Sequence, residues 1–189
     1  MPATLKSDSV KPSASNVSVA DAVADAAARS APSAGAVLAL SGAPLDASTL
    51  YAQVYLFPPQ QRIALIKGGV FAHHVDALAQ RMSIPKELLI NTLRLSRATV
   101  NRKARAREAL AQDESERVLG VEYLIGQVES MVAESGEPAG FDAAAWLSAW
   151  LHSPLPALDC KTPASYMDTI EGQKMVSGLL ATAQSGAYA

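Results

Sequence analysis

The stretch ELLINTLRLSRATVNRKARAR, Glu87–Arg107, decides how the middle of this chain folds. It predicts a short helix, a tight turn over residues 94–96, and a second helix that begins at Arg97. Ser96 is a typical N-cap residue, because its hydroxyl can accept a hydrogen bond from an N–H group of the first turn. Three apolar residues are placed to anchor the turn and the second helix in a core: Leu93, Leu95 and Val100.

The exposed side of this second helix is basic. Residues 94–107 carry six positive charges and no acidic residue. Two helices joined by a tight turn, with basic side chains outside, are typical of a helix-turn-helix that reads the major groove of DNA. An alternative is that the last cations only solubilise the helix. The candidate DNA-binding residues are Arg94, Arg97, Ala98, Thr99, Asn101, Arg102, Lys103 and Arg105.

The charge balance changes sharply along the chain. Acids and bases nearly cancel over residues 1–93, whereas residues 108–189 hold twelve acids against three bases, a net charge of −9. A basic band followed by an acidic half indicates two partners: nucleic acid for the band, and a partner that tolerates or favours negative charge for the second half.

The cysteine content and the apolar runs of the sequence also indicate the cellular compartment. Cys160 is the single cysteine, so no intramolecular disulfide can form, and the sequence offers no further role for it. No secretory signal and no apolar run long enough to span a bilayer are visible. We therefore expect a cytoplasmic protein without membrane contact.

Helical spacing of apolar residues dominates the chain after residue 48, and no convincing strand alternation is present, so the predicted fold class is all-α. We divide the chain into an Ala/Ser-rich, disordered or loosely ordered arm (1–47), a helical helix-turn-helix domain (48–112) and a second helical domain (113–189). Gly68–Gly69 is expected to end a helix rather than to bind phosphate.

The second domain is expected to begin with the longest helix of the chain. Asp113–Glu116 has the D-x-x-E form of a capping box, and a broad apolar stripe follows to about residue 134. This stripe packs either inside its own domain or against a twin helix. Because helix-turn-helix proteins usually bind two half-sites, we expect a homodimer.

A further helix is predicted from Asp142, its N-cap, with Phe141 placed to pack against Trp146. Trp146 and Trp150 lie one turn apart on one face. We expect them to pack in the core, with a contribution to a partner interface as the alternative.

No constellation of residues points to catalysis. His73, His74 and His152 lack further ligands at metal-binding spacing, and Cys160 has no neighbouring base. We expect no enzyme activity, no catalytic residues, no metal and no cofactor.

A specific string of motifs follows the basic helix: Trp150-Leu151-x-x-Pro154-x-Pro156-Ala157-Leu158, Thr162-Pro163, Asp168-Thr169-x-x-Gly172, Val176, Leu179-Leu180 and Gly186-x-Tyr188-Ala189. This string closely resembles the C-terminal domain of Xre/MbcA/ParS antitoxins. The order of parts also matches that family, and the resemblance covers roughly residues 62–189.

The resemblance implies the antitoxin of a type II toxin–antitoxin system. Its partner would be a RES-type toxin that degrades NAD, and the antitoxin would repress its own operon by binding operator DNA. The family's C-terminal tail is expected to approach the toxin active site. The implied toxin-binding residues are Trp150, Gly186, Ala187, Tyr188 and Ala189. The alternative function is a stand-alone helix-turn-helix regulator without a toxin.

The sequence departs from the family pattern in three places. Arg94 stands where the turn most often has glycine, so either the turn is built differently or Arg94 accepts a strained backbone while gaining a phosphate contact. Asp159-Cys160 replaces a glycine-containing turn, and Ile90 replaces the usual alanine.

Overall fold

The computed structural model describes residues 47–136 and 140–184, which all belong to one compact unit. The predicted arm therefore lies outside the described residues except at Ala47, and so does the predicted C-terminal tail.

Helices account for the regular structure of the described residues, which contain no β-strand, and the all-α prediction is confirmed. Three short 3-10 helices occur at Val54–Leu56, Pro156–Leu158 and Pro163–Tyr166. The α-helices are α1 (Ala47–Ala52), α2 (Pro59–Gly68), α3 (His74–Arg81), α4 (Lys86–Thr92), α5 (Arg97–Ala106), α6 (Gln112–Ser135), α7 (Ala143–Leu151) and α8 (Ile170–Gln184).

Helix α6 is the centre of the fold. It packs against α1, α2 and the first 3-10 helix on the N-terminal side of the chain, and against α7 and α8 on the C-terminal side. The members of its predicted apolar stripe Val118, Val121, Ile125 and Val128 are all buried. The stripe therefore packs inside the chain rather than against a twin helix, but its partners lie on both sides of it in sequence and not only within its predicted domain.

The start of α6 differs from the prediction. The helix begins at Gln112 with Ala111 as N-cap, and the Glu114 carboxylate accepts a hydrogen bond from the Ala111 N–H at 3.0 Å. Asp113 is not the cap, because it lies inside the first turn, where its carboxylate pairs with Arg117 at 3.0 Å. The predicted capping box is wrong at both positions: Ala111 has no side-chain oxygen to cap the helix, and Glu114, not Glu116, is the residue whose carboxylate reaches back to the N-cap N–H.

Two amide side chains hold α8 against α6. The Gln173 amide donates to the backbone oxygens of Arg117 and Met167, each at 3.0 Å. Further along both helices, Gln127 donates to the Ser177 carbonyl at 3.0 Å and accepts from the Ser177 hydroxyl at 2.7 Å.

A buried carboxylate ties α6 to α3. Glu122 is fully buried and accepts hydrogen bonds from Arg81 and from the Nε2 side of His74, both at 2.7 Å. His74 packs edge-on against Tyr51, and burial raises the pKa of that phenol above its ordinary value. Of the two adjacent histidines, His74 is thus a core residue, whereas His73 is exposed.

Candidate functional site

Helices α4 and α5 form the predicted helix-turn-helix. Leu93 and Val100 are fully buried and Leu95 nearly so, as their spacing indicated. The Ser96 side chain caps α5, its hydroxyl oxygen accepting from the Thr99 N–H at 3.4 Å. These contacts confirm the predicted turn and fix the exposed side of α5.

Arg94 adopts the left-handed backbone conformation that the turn requires, with φ of 47°. The Leu95 N–H donates to the Ile90 carbonyl at 2.9 Å across the turn. The turn thus keeps the backbone that favours glycine, and Arg94 accepts the strain. A side chain in this region costs about 1 kcal/mol relative to glycine.

The candidate DNA-binding residues of α5 differ in how far they are exposed. Arg97, Ala98, Arg102 and Arg105 are exposed, and Thr99, Asn101 and Lys103 are half-buried. Asn101 accepts a hydrogen bond from Lys86 at 3.0 Å, and Lys86 also pairs with Asp76 at 2.8 Å. Lys86 was not among the predicted residues, because it lies before the turn, on α4.

Acidic side chains accompany the cations of this basic face, which we define as the exposed side of α5 together with Arg94. They come from α4, from the segment after α5, from α6 and from the segment before α8. The pairs are Arg97–Glu87 (3.2 Å), Arg102–Glu108 (3.2 Å), Lys103–Glu114 (3.8 Å) and Arg94–Asp168 (3.0 Å). Each of these four cations thus has a carboxylate partner within the chain.

The second candidate site lies on α7. Asp142 caps this helix, its carboxylate accepting from the Ala145 N–H at 2.9 Å, as predicted. Phe141 packs against Trp146 with ring centroids 6.2 Å apart, which confirms the predicted staple. Trp146 in turn stacks on Trp150, with centroids 6.2 Å apart and planes 11° from parallel.

The expectation that both tryptophans pack in the core is wrong for Trp146, which is 39% exposed. Trp150 is half-buried and packs against the core. The reason is that another face of α7 already supplies the core, through Ala143, Ala144, Leu147 and Leu151. The predicted tail residues Gly186, Ala187, Tyr188 and Ala189 lie outside the described residues, so only Trp150 of that set has a described position.

The turn at Asp159–Cys160, where the family usually has a glycine, keeps the left-handed backbone conformation that favours glycine. Asp159 and Cys160 both have positive φ, 53° and 60°, and the Lys161 N–H donates to the Leu158 carbonyl at 2.9 Å across them. Cys160 is free and exposed.

Within residues 47–136 and 140–184, no group of three or more His, Cys, Asp or Glu side chains could hold a metal ion. Over the same residues, every helix falls short of the length and apolar character needed to cross a membrane.

Comparison with known proteins matches two parts of the chain to known domains. Residues 61–121 match the antitoxin Xre-like helix-turn-helix domain, and residues 139–186 match the antitoxin Xre/MbcA/ParS C-terminal toxin-binding domain. A Prs ADP-ribosylating antitoxin from Sphingobium sp. (strain YBL2) is 46% identical over 139 residues, which cover 74% of this chain and 87% of the relative.

A helix-turn-helix that shares a core with a toxin-binding domain defines the antitoxin of a toxin–antitoxin system. More specifically, the chain belongs to the Xre/MbcA/ParS antitoxin family. A toxin is therefore its partner.

Proposed function

We propose that this antitoxin neutralises a RES-type toxin that consumes NAD, and that it represses its own operon. The observation that carries the proposal is the match of the chain to two antitoxin domains, a helix-turn-helix followed by a toxin-binding domain. A named antitoxin is also 46% identical to the chain over 139 residues. The relative's name includes the term ADP-ribosylating, and ADP-ribosyl groups are taken from NAD. An NAD-consuming partner fits that chemistry.

For repression, α5 enters the major groove of the operator as part of a homodimer. Arg97, Asn101 and Arg102 contact bases or the groove floor, while Thr99, Lys103 and Arg105 contact phosphates and Ala98 faces the groove. Arg94 adds a phosphate contact from the turn. The exposed basic face and the capped second helix support these roles.

For neutralisation, the C-terminal residues Gly186 to Ala189 enter the toxin's active site, and Trp150 supports the interface. A terminal carboxylate beside the ring of Tyr188 suits a pocket built for an anionic, aromatic nucleotide. We keep the division into a DNA-binding domain (48–112) and a toxin-binding domain (113–189) as part of this proposal, together with a location in the bacterial cytoplasm, where operator DNA and NAD are found.

Co-expression with the adjacent gene tests the proposal. The neighbouring product alone should arrest growth, and this chain should relieve the arrest. Removal of residues 186–189 should weaken that relief while leaving operator binding intact. Growth arrest that the full chain does not relieve contradicts the antitoxin assignment for this pair, and relief without operator binding contradicts self-repression.

A further inference from the structure

Three aromatic side chains form a continuous surface ladder that begins just before α7 and runs along it: Phe141, Trp146 and Trp150. Phe141 is 40% exposed and Trp146 is 39% exposed, and each ring contacts the next. Large aromatic rings in water forgo the stabilisation that burial of their apolar surface would bring. A cluster of them on one short helix is typical of a surface that a partner covers.

The needs of the fold do not explain this exposure. The buried face of α7 consists of small and aliphatic residues, so the core is complete without the outer faces of the ladder. The staple accounts for the contact between Phe141 and Trp146, but a staple requires only that two apolar residues touch. The fold therefore gives no role to the ring surfaces that face outward.

The position of the ladder indicates what covers it. All three residues lie inside the segment 139–186, which matches a toxin-binding domain. Phe141 lines a surface cavity together with Glu129 of α6 and with Gln80 and Arg81 of α3. The ladder therefore belongs to the toxin-binding segment of the chain.

We propose that the aromatic ladder is the anchoring surface for the toxin, and that the C-terminal tail contributes inhibition rather than most of the affinity. This inference rests on the proposed function for the identity of the partner. Tryptophan is among the residue types that dominate binding energy at interfaces. Its ring face also attracts cations, and the acidic charge of residues 108–189 favours a basic partner. The occupant is therefore an apolar cleft of the toxin, bordered by Arg or Lys side chains.

This division of roles gives the two parts different signatures. A weakened anchor raises the antitoxin concentration needed for binding, but inhibition at saturation stays complete. A missing tail leaves binding nearly unchanged, but toxin activity persists at saturation. The two effects are separable because one changes an affinity and the other changes what the bound state blocks.

The experiment titrates the purified product of the adjacent toxin gene with the full chain, recording binding by calorimetry and NAD consumption in parallel. Trp146→Ala should weaken binding by about thirtyfold, the effect of a strong interface residue. Phe141→Ala should also weaken binding of the toxin. This variant leaves the sequence of α7 unchanged, because Phe141 precedes the helix. Leu56→Ala is the matched control, because Leu56 is 74% exposed but lies outside segment 139–186. Operator binding by each variant reports that the chain is folded.

Wild-type affinity in both aromatic variants overturns the inference while leaving the proposed function intact. A neighbouring product that binds this chain tightly but consumes no NAD overturns the proposed toxin type. In that case, loss of binding in Trp146→Ala would still support the aromatic ladder as the anchoring surface. Loss of binding on deletion of residues 186–189, equal to that of Trp146→Ala, contradicts the division of roles. Failure of the wild-type chain to bind overturns both proposals.

Discussion

Arg94, in the turn of the helix-turn-helix, forms an ion pair with Asp168, the second residue before α8, with Nε and Oδ2 3.0 Å apart. Arg94 is a candidate phosphate contact, and Asp168 lies in the domain that matches toxin-binding sequences. This pair therefore connects the turn of the helix-turn-helix directly to the toxin-binding segment. Any partner that displaces Asp168 leaves the Arg94 guanidinium free for DNA.

Replacement of Asp168 should strengthen operator binding. The Arg94 side chain is 78% exposed, so the ion pair is worth at most about 1 kcal/mol, which corresponds to a gain of about fivefold or less in Asp168→Asn. Glu171→Gln is the control, since it removes one acid three residues away, paired with Lys174 instead. Equal gains in both variants, measured by fluorescence titration with operator DNA, would mean that only general charge matters.

The backbone strain at Arg94 can be separated from its charge. Arg94→Gly should be more stable than Arg94→Ala by about 1 kcal/mol, because glycine adopts positive φ without the steric penalty and both variants lack the guanidinium. Urea denaturation gives the two free energies of unfolding. If the alanine variant is the more stable, the turn is not strained in solution.

Arg102 should contribute directly to DNA binding. Arg102→Ala is expected to lower operator affinity and to reduce the slope of log affinity against log salt by about one unit if the side chain neutralises a phosphate. Lys174→Ala is the control: Lys174 is also an exposed cation, but it lies on α8. An unchanged affinity and slope at moderate salt in Arg102→Ala would exclude this side chain from the DNA interface.

The pH dependence of stability should include a contribution from Glu129. Burial raises the pKa of this carboxyl, Arg81 opposes the shift, and the nearby Glu122 adds to it. A raised pKa in the folded state means that the folded chain holds this proton more tightly than the unfolded chain, so stability falls as pH rises above about 4.5 through the folded pKa. Glu129→Gln should remove that fall and equal or exceed the wild type at pH 7. Thermal unfolding from pH 4 to 8 measures it, and a loss of stability at pH 7 would contradict the account.

Local features of the fold were accessible from the sequence because their causes are local. The Ser96 cap, the Asp142 cap and the contact of Phe141 with Trp146 each depend on residues within one or two helical turns. The left-handed conformation of Arg94 is one of the two alternatives that the family's glycine position left open.

Long-range relations were not accessible in this way. The pairing of Arg94 with Asp168, and of Glu122 with His74, joins residues far apart in sequence, and no spacing rule connects them. Helical periodicity also identifies a face without identifying what covers it. It therefore left two alternatives open for the stripe of α6, and it led to the wrong environment for Trp146.

The most direct test of the central claim is the NAD content of cells that express the adjacent gene. With the toxin alone, NAD should fall as growth stops, and co-expression of this chain should hold NAD at the level of uninduced cells. An NAD level that stays constant without the antitoxin, or that falls equally with and without it, would contradict the account.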